Sequence, residues 1–500
     1  MDFYAQGLKL SAAGEHARAI EAFERALGAN PSDGRVLFAL GNTARALGMG
    51  QAAENFFRQV LLAEPGRTEA LVNLASLLRQ LDRHGEAEAL LRPALEHNRA
   101  DADLLLALGN TRREQGALDD ALSLYREALV CRPGFLAALV NLADMLAEGG
   151  HEDEALALYD QALKAGNNAA TAQARLNRAV LHLARGNFKD GWRDYAARIQ
   201  VPGKVPQADH GLKRWSGESL KKTRLLVTTE QGVGDHLMFA SVLPSLIARA
   251  EAEGGKIILE CEKRLTPLFA RSFPSVICHD WELEQRHDGA RSHYGWLKKI
   301  GGANAFIEMG SLPRTLRKSR EDFPAPHRYL VPDAAEAQSW REAFAELPRP
   351  LTGICWRSGL SGGARSLAYA PLELWAAFIR DLKGSVVVVQ YGAQDAEIAA
   401  LEAFSGRKLV VPQGIDQKQE LDRATALISV LDCVVSAPTA VSWLAAGQGL
   451  ATFKLQHALS WTTFGSDREA FGPSAKLLLA KTPAAWPEVF AKTKAEIDAL

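Results

Sequence analysis

Residues 16–49, HARAIEAFERALGANPSDGRVLFALGNTARALGM, form one unit of a pattern that repeats through the first 200 residues of the chain. An alanine returns every 34 residues, at Ala19, Ala53, Ala87, Ala121 and Ala155. A large side chain follows each alanine four positions later, at Phe23, Phe57, Leu91, Tyr125 and Tyr159. Small residues keep the same register, at Gly7, Gly41, Ala75, Gly109 and Ala143. Because small residues let helices approach closely and large ones fill the neighbouring gap, the period predicts stacked pairs of helices.

This pattern resembles the tetratricopeptide repeat (TPR), in which each unit is a pair of helices. Proline, which cannot continue a helix, follows the second helix of three units, at Pro31, Pro65 and Pro133. Residues 183–199, LARGNFKDGWRDYAARI, look like an imperfect sixth unit that closes the stack. We therefore expect an α-solenoid with a capping repeat over residues 1–200.

Asparagines recur near the small-residue position of successive units, at Asn42, Asn73, Asn110 and Asn141. Solenoids of this kind present a concave groove that binds a peptide or protein, and we expect these side chains to face that groove. Two simpler interpretations stay open: the asparagines are solvated helix residues, or the array only stabilises its neighbour.

Bulk composition favours a soluble multidomain protein. Five hundred residues exceed one hydrophobic core, and 58 basic against 59 acidic residues give a formal net charge of −1. That balance favours neither nucleic acid nor an anionic membrane as the partner. The five cysteines form no CxxC pair, and the pattern predicts neither a signal peptide nor an apolar run of about 20 residues. We expect a cytoplasmic protein without a membrane span.

The pattern changes after a Pro/Gly-bearing linker, which we place at residues 201–222. Short apolar runs then alternate with helical stretches, as in RLLVTT (224–229), KIILEC (256–261), AFIEM (305–309), LTGICW (351–356), SVVVVQY (385–391) and DCVVS (432–436). This alternation predicts parallel α/β sheets. The proline-rich segment DFPAPHRYLVPD (322–333) divides them, so we expect two Rossmann-like lobes, residues 223–332 and 333–500, facing a cleft.

Three strand ends carry candidate ligand contacts. Glycines let the backbone approach a ligand, and arginine forks match phosphate oxygens, which makes Arg365 a candidate phosphate ligand. The segment SAPTAVSW (436–443) opens a helix with Ser436 as its expected cap, where free N–H groups can receive a phosphate. Asp235, at the glycine turn TTEQGVGDH (228–236), either caps a helix or handles the other reactant. The sequence contains no GxxxxGK[ST] and no HExxH, and its glycine turn lacks the third glycine of a dinucleotide fingerprint.

The order of three segments resembles bacterial tetratricopeptide-fused glycosyltransferases: TEQGVGDHLMFASVLPSL (229–246), ICWRSGLSGGARS (354–366) and LISVLDCVVSAPTAVSWLAAG (427–447). That group has the GT-B fold, built from two Rossmann-like lobes, and is related to the ADP-heptose:lipopolysaccharide heptosyltransferases. Within it, VPQGIDQKQELDRATALISVLD (411–432) looks most like the flagellin glycosyltransferases. Their repeats hold flagellin while the catalytic half transfers a nonulosonic acid, such as pseudaminic acid, from its CMP donor.

The resemblance implies roles for particular residues. Asp235 matches the proposed base that activates the acceptor hydroxyl, and His236 is a second candidate. The acceptor-side loop comprises Gln231, Gly232 and Gly234. Arg365 best matches the residue that meets the donor phosphate, with Arg357 as the alternative. The remaining expected donor contacts are Ser358, Gly359, Ser366, Gln390, Ser436, Ala437, Pro438, Thr439, Ser442 and Trp443.

Two positions depart from the family pattern, because Pro438 and Trp443 stand where relatives usually have Asp and His. A different nucleotide, such as CMP, is consistent with this departure. The sequence thus predicts an inverting, metal-independent glycosyltransferase with no cofactor. Its donor is expected to be a CMP-sugar, and its acceptor Ser/Thr of a protein, expected to be flagellin. Two alternatives stay open: N-acetylglucosamine transfer from UDP, and a non-catalytic TPR scaffold or chaperone with a degenerate GT-B domain.

Overall fold

The chain divides into two compact units, Met1–Asn167 and Asn168–Leu500. The computed structural model describes residues 2–166, 168–201, 207–208, 210–230, 232–286, 289–324, 328–359, 369–457 and 460–500. The division falls earlier in the chain than residue 200, where the repeat pattern placed the end of the solenoid.

The first unit is a helical solenoid. Its described residues form α1 (Phe3–Ala12), α2 (His16–Ala29), α3 (Gly34–Ala46), α4 (Gly50–Ala63), α5 (Thr68–Gln80), α6 (His84–His97), α7 (Ala102–Glu114), α8 (Leu118–Cys131), α9 (Leu136–Glu148) and α10 (Glu152–Ala162). The helices pack as five consecutive pairs. In each of the first four pairs, the second helix also contacts the first helix of the following pair. The predicted α-solenoid is confirmed.

Repeat residues form the core of this unit as the period predicts. Ala53 and Phe57 are completely buried in α4. A Cβ atom added to Gly41 of the preceding helix would lie 2.6 Å from Cε1 of Phe57. Gly109 stands in the same relation to Tyr125, again at 2.6 Å. The small residue is therefore needed because an aromatic ring occupies the space beside it.

The predicted capping repeat belongs to the second unit instead. Its helices are α11 (Ala169–Ala184) and α12 (Phe188–Tyr195), followed by a 3₁₀ turn, Ala196–Gln200. The indole N–H of Trp192 donates to the carbonyl oxygen of Arg317 at 2.7 Å, and the ring of Phe188 lies 4.7 Å from that of Phe464. These long-range contacts join the cap to the α/β core, which explains why the unit boundary precedes it.

The first part of the α/β region contains β1 (Gln207–Ala208), β2 (Lys213–Arg214), β3 (Arg224–Thr228), β4 (Lys256–Cys261), β5 (Ile277–Asp280), β6 (Leu283–Arg286), β7 (Gly289–Ser292) and β8 (Ala305–Glu308). One parallel sheet has the order β2-β8-β3-β4-β5. A smaller sheet pairs β6 with β7 antiparallel and β7 with β1 parallel. Its helices are α13 (Val233–Ala240), α14 (Leu243–Glu253), α15 (Thr266–Ser272) and α16 (Leu312–Leu316). The predicted linker thus contributes an edge strand, β2.

The second part contains β9 (Leu351–Cys355), β10 (Ser385–Val388), β11 (Cys433–Ser436), β12 (Ala451–Gln456) and β13 (Ala475–Leu479). They form another parallel sheet, in the order β10-β9-β11-β12-β13. Its helices are α17 (Ala334–Ala343), α18 (Leu372–Asp381), α19 (Asp395–Ser405), α20 (Leu421–Ile428), α21 (Ala440–Gly447) and α22 (Trp486–Asp498). The predicted parallel α/β character is confirmed. One apolar cluster includes residues of both sheets, among them Val227 of β3 and Val387 of β10.

Candidate functional site

The glycine turn after β3 places Asp235 at the surface. Gly232 is the N-cap of α13 and has a φ of 103°, a conformation that favours glycine. Asp235 lies within the first helical turn, so it is not the N-cap residue. A Cβ atom at Gly232 would lie 3.2 Å from Oδ2 of Asp235. The turn therefore holds an exposed carboxylate at the positive end of a helix. Gln231 lies outside the described residues.

His236, the second predicted base, lies in the interior with 1% exposure. Its Nε2 atom pairs with the carbonyl oxygen of Glu230, so Nε2 must carry the proton. The ring packs edge-on against Trp281 at 5.2 Å. Burial lowers the pKa of His236 to about 4, so the imidazole is neutral near pH 7. This placement favours a structural role for His236 over contact with a substrate.

Helix α13 meets α21 of the second sheet. A Cβ atom at Gly234 would lie 3.8 Å from Cδ1 of Trp443. Trp443 is 8% exposed, and its ring lies 4.5 Å from the ammonium of Lys454, which pairs with the buried Glu469. The Tyr329 hydroxyl also donates to the carbonyl oxygen of Leu237 at 3.0 Å. Two regions singled out in the sequence, the glycine turn and the SAPTAVSW segment, are therefore neighbours.

A buried polar network lies at the carboxyl ends of β9 and β11. The Thr439 hydroxyl lies 3.5 Å from the Cys355 thiol and 3.2 Å from the Ser436 hydroxyl. Gln390 accepts from the backbone N–H of Arg357 at 3.0 Å and from the Cys355 thiol at 3.4 Å. Burial raises the pKa of Cys355 to about 11, so the thiol stays protonated. The structure thus brings together predicted donor residues from strand ends that are far apart in the chain.

The start of α21 differs from the predicted one. Its N-cap is Thr439, without a capping hydrogen bond from the side chain, while Ser436 is the last residue of β11. Ser436 donates instead to the carbonyl oxygen of Ala437 at 2.6 Å, because the strand extends to this position and the helix begins only after Thr439. Ser442 donates to the carbonyl oxygen of Thr439 at 2.7 Å. Ala437 is buried, whereas Pro438 is exposed.

Arg357 is held by protein groups. Its Nε and Nη2 atoms donate to the two carboxylate oxygens of Glu397, each at 2.6 Å. Nη2 also donates to the carbonyl oxygen of Gly392 at 3.0 Å, and Nη1 to that of Ser358 at 3.2 Å. The N–H of Gly359 donates to the Tyr391 hydroxyl at 3.2 Å. Four of the five N–H groups of the guanidinium are thereby engaged within the protein, which leaves little of it for a phosphate. The other candidate, Arg365, and its neighbour Ser366 lie outside the described residues.

A buried ion pair behind the glycine turn was not predicted. Arg198, in the 3₁₀ turn after α12, donates through Nε to Glu230 at 2.7 Å, and the N–H of Gly310 donates to the same carboxylate at 2.9 Å. Burial opposes both charges, but their attraction prevails, lowering the pKa of Glu230 and raising the pKa of Arg198. A Cβ atom at Gly310 would lie 2.5 Å from Oε1 of Glu230. The ion pair thereby links the cap to Glu230, which precedes the glycines of the glycine turn.

Glu260, near the end of β4, is a second unpredicted residue. It is 1% exposed, and its Oε2 atom accepts from the Tyr294 hydroxyl at 3.2 Å. Its Oε1 atom has no hydrogen-bond partner within the described part of the chain. Burial raises the pKa of Glu260 to about 7. An acid in the otherwise apolar run KIILEC was the only sequence signal for it.

The solenoid asparagines form two pairs between neighbouring repeats. Asn73 donates to Asn42 at 2.9 Å, and Asn141 donates to Asn110 at 2.7 Å. All four side chains are partly buried. Asn73 also lines a cavity of about 690 Å³ together with residues such as Phe38 and Thr68. The asparagines therefore link adjacent repeats, and one of them borders a space large enough for peptide side chains.

Two general features concern ligands and membranes. Among the residues that the structure describes, no group of three or more His, Cys, Asp or Glu side chains is arranged to hold a metal ion. Within the same residues, no helix has the length and apolar character required to cross a bilayer.

Comparison with known proteins finds tetratricopeptide repeats in the first part of the chain. A tetratricopeptide repeat model matches residues 4–68, 72–135, 106–170 and 140–208. The last match includes α11 and α12, so the predicted sixth unit follows the repeat pattern although it packs with the α/β region. The chain is 31% identical over 332 residues to Protein FlbA of Caulobacter vibrioides (strain ATCC 19089 / CIP 103742 / CB 15). That alignment covers 64% of this chain and 54% of FlbA, so the chain spans about half of its relative.

Several solved structures are similar to part of the chain. MamA is 26% identical, covering 32% of this chain and 92% of MamA with a TM-score of 0.28. TTC0263, a thermophilic TPR protein in Thermus thermophilus, is 26% identical. The match covers 36% of this chain and 97% of TTC0263, with a TM-score of 0.33. YrrB, a TPR protein with an unusual peptide-binding site, is 24% identical. The match covers 35% of this chain and 90% of YrrB, with a TM-score of 0.27.

Proposed function

We propose that this chain is an inverting, metal-independent glycosyltransferase of the GT-B type, acting on Ser or Thr of a protein acceptor. The observation that carries the proposal is the exposed carboxylate of Asp235 beside the contact between α13 and α21. A hydroxyl is a poor nucleophile, so a base must take its proton as its oxygen attacks the anomeric carbon. The new bond forms as the bond from that carbon to the donor phosphate breaks, which inverts the configuration.

The second sheet supports a donor site. Its strand ends bring Gln390, Ser436 and Thr439 close to the start of α21, whose first N–H groups receive no side-chain cap. Such N–H groups stabilise phosphate oxygens without a metal ion. Because Arg357 is engaged by Glu397, we assign the cationic contact to Arg365. Arg365→Ala should weaken use of the donor by roughly tenfold or more, since a charge-assisted hydrogen bond contributes about 1.5–3 kcal/mol.

The solenoid supports a protein acceptor. TPR arrays bind peptides, and the cavity lined by Asn73 lies on the first unit, outside the α/β region that carries Asp235. The resemblance of the three sequence motifs to flagellin glycosyltransferases extends the proposal to flagellin as the acceptor and to a CMP-linked nonulosonic acid as the donor. The reaction is proposed to take place in the cytoplasm.

The test is the intact mass of flagellin after incubation with the chain and CMP-pseudaminic acid, with UDP-N-acetylglucosamine in parallel and EDTA added to half of each reaction. We expect a mass increase equal to whole nonulosonic acid residues, unchanged by EDTA. An increase with only the UDP donor would establish the alternative transferase. Binding of flagellin without any added mass from either donor would establish the scaffold.

A further inference from the structure

A cationic cavity lies where the cap meets the first parallel sheet. It has a volume of about 330 Å³ and is lined by parts of α12, the 3₁₀ turn after it, β2, α14, the end of β8 and α16. We call it the junction cavity. Five basic side chains line it, namely Arg198, Arg214, Arg249, Arg314 and Lys318. Among the described residues that line it, none is acidic.

Three of these cations form ion pairs with glutamates that do not line the cavity. Arg198 pairs with Glu230, Arg214 pairs with Glu308 at 2.6 Å, and Arg249 pairs with Glu253 at 2.8 Å. These pairs fix the guanidinium groups in the wall of the cavity. The Ser311 hydroxyl joins the first two, because it accepts from Arg198 at 2.8 Å and from Arg214 at 2.9 Å. The wall is therefore rigid and rich in hydrogen-bond donors.

The other two cations remain uncompensated. Within the described ranges, the side chains of Arg314 and Lys318 form neither an ion pair nor a hydrogen bond, and both are exposed. Thr315, between them in the chain, adds a hydroxyl to the lining. The cavity thus has an excess of two positive charges beside prearranged donors. That combination suits a dianion better than a neutral ligand or a cation.

We propose that the junction cavity binds the phosphate group of a small phosphate monoester. Such a group carries about −1.5 to −2 charges near pH 7, which matches the excess charge of Arg314 and Lys318. The volume lies near the lower end of the range for small-molecule sites, roughly 300–1,000 Å³, and suits a ligand of sugar-phosphate size. The aromatic rings of Trp192 and Trp215 give the cavity an apolar wall for the organic part of the ligand.

Titration calorimetry of the full chain with inorganic phosphate, glucose 6-phosphate and glucose tests this assignment. It needs neither donor nor acceptor, and the loss in a variant of the junction cavity separates this site from the donor phosphate contact proposed at Arg365. We expect saturable binding of both phosphates and none of glucose. The double variant Arg314→Gln/Lys318→Gln should weaken phosphate binding at least about tenfold, because it removes two charge-assisted contacts.

The matched control is Lys298→Gln/Lys299→Gln, which removes the same charge from exposed side chains in the 3₁₀ turn Gly295–Ile300, outside the cavity lining. It should bind phosphate like the parent chain. Equal binding by the Arg314/Lys318 variant, or no saturable binding by the parent chain, would overturn the proposal. A phosphoserine peptide serves as a further probe. Weaker binding than glucose 6-phosphate supports a small-molecule ligand, and tighter binding overturns that part of the assignment.

Discussion

Asp235 is the residue whose chemistry decides the proposed activity. Asn keeps the shape and the hydrogen-bond acceptance of Asp but removes its basicity. Since Gly232 is the N-cap, Asp235→Asn should leave folding nearly unchanged. If Asp235 is the base, single-turnover transfer to the acceptor should fall by roughly 10²–10⁴-fold, with donor affinity little changed. A folded Asn variant with near-parental transfer would assign Asp235 to structure alone.

Glu230 tests the buried ion pair at the same scale. Glu230→Gln leaves Arg198 buried without its counter-charge, so the second unit should lose about 3–5 kcal/mol of unfolding free energy. All ten tryptophans lie after residue 168, so their fluorescence reports unfolding of that unit. Glu488→Gln is the control, because Glu488 pairs with Lys492 on the surface, and it should change the transition little. Similar transitions for both variants would show that the pair contributes nothing.

Glu260 predicts a pH dependence. The pKa of Glu260 is raised to about 7 in the folded chain, above its usual value in an unfolded chain. Its contribution to stability is therefore complete below the unfolded pKa and is lost as pH rises through about 7. Glu260→Gln removes this titration. The free energy of unfolding of the variant, relative to that of the parent chain, should therefore rise by up to about 3 kcal/mol between pH ~5 and pH ~8. Tryptophan-monitored unfolding at both values measures it, and a constant difference would contradict the assignment.

Individual helices of the solenoid are constrained by one contact per repeat. Gly41→Ala would put a Cβ atom 2.6 Å from Phe57, so the first unit should lose about 1–3 kcal/mol. Adding Phe57→Leu should recover part of the loss, because the next repeat combines Ala75 with Leu91 at the equivalent positions. Far-ultraviolet circular dichroism follows the unfolding of both units. Tryptophan fluorescence, recorded on the same samples, identifies the transition of the second unit, so the remaining transition belongs to the first.

Gly28→Ala provides the matched control for that change. A Cβ atom at Gly28 in α2 would meet nothing within 4 Å. Alanine should therefore be neutral or stabilise the helix by up to about 1 kcal/mol. Equal destabilisation by the two glycine variants would mean that the contact between Gly41 and Phe57 is not the cause.

Elements of the α/β region were predicted more securely than their ends. The apolar runs after residue 223 became strands because parallel strands buried on both faces need nearly continuous apolar sequence. The start of α21 was misplaced at Ser436 because serine is a frequent N-cap in sequences, whereas strand pairing with β9 and β12 holds Ser436 in the sheet. Pairing between distant strands leaves no trace in the local sequence, so this boundary required the structure.

The division of the whole molecule predicts how it can be cut. A fragment of residues 168–500 keeps Trp192 and Arg198, so it should unfold cooperatively by tryptophan fluorescence. A fragment of residues 201–500 loses both, which exposes aromatic surface and leaves Glu230 without Arg198. We expect it to aggregate or to melt at a lower temperature, and equal melting temperatures would refute this boundary. Under the proposed function, the 168–500 fragment should retain use of the donor but modify flagellin poorly.

Short-range periodicity allowed the sequence by itself to determine the repeats, the alternation of strands and helices, and the glycine turn with its acid. A period of 34 residues, a strand-length apolar run and a glycine before a helix are all visible within a few dozen residues. The tertiary structure alone decided that the sixth repeat joins the α/β unit, that His236 is buried, and that Arg357 is held by Glu397. It also brought Arg198 to Glu230 and gathered the basic residues of the junction cavity. Each of these features depends on burial or on contacts between distant segments, which packing creates and local sequence does not encode.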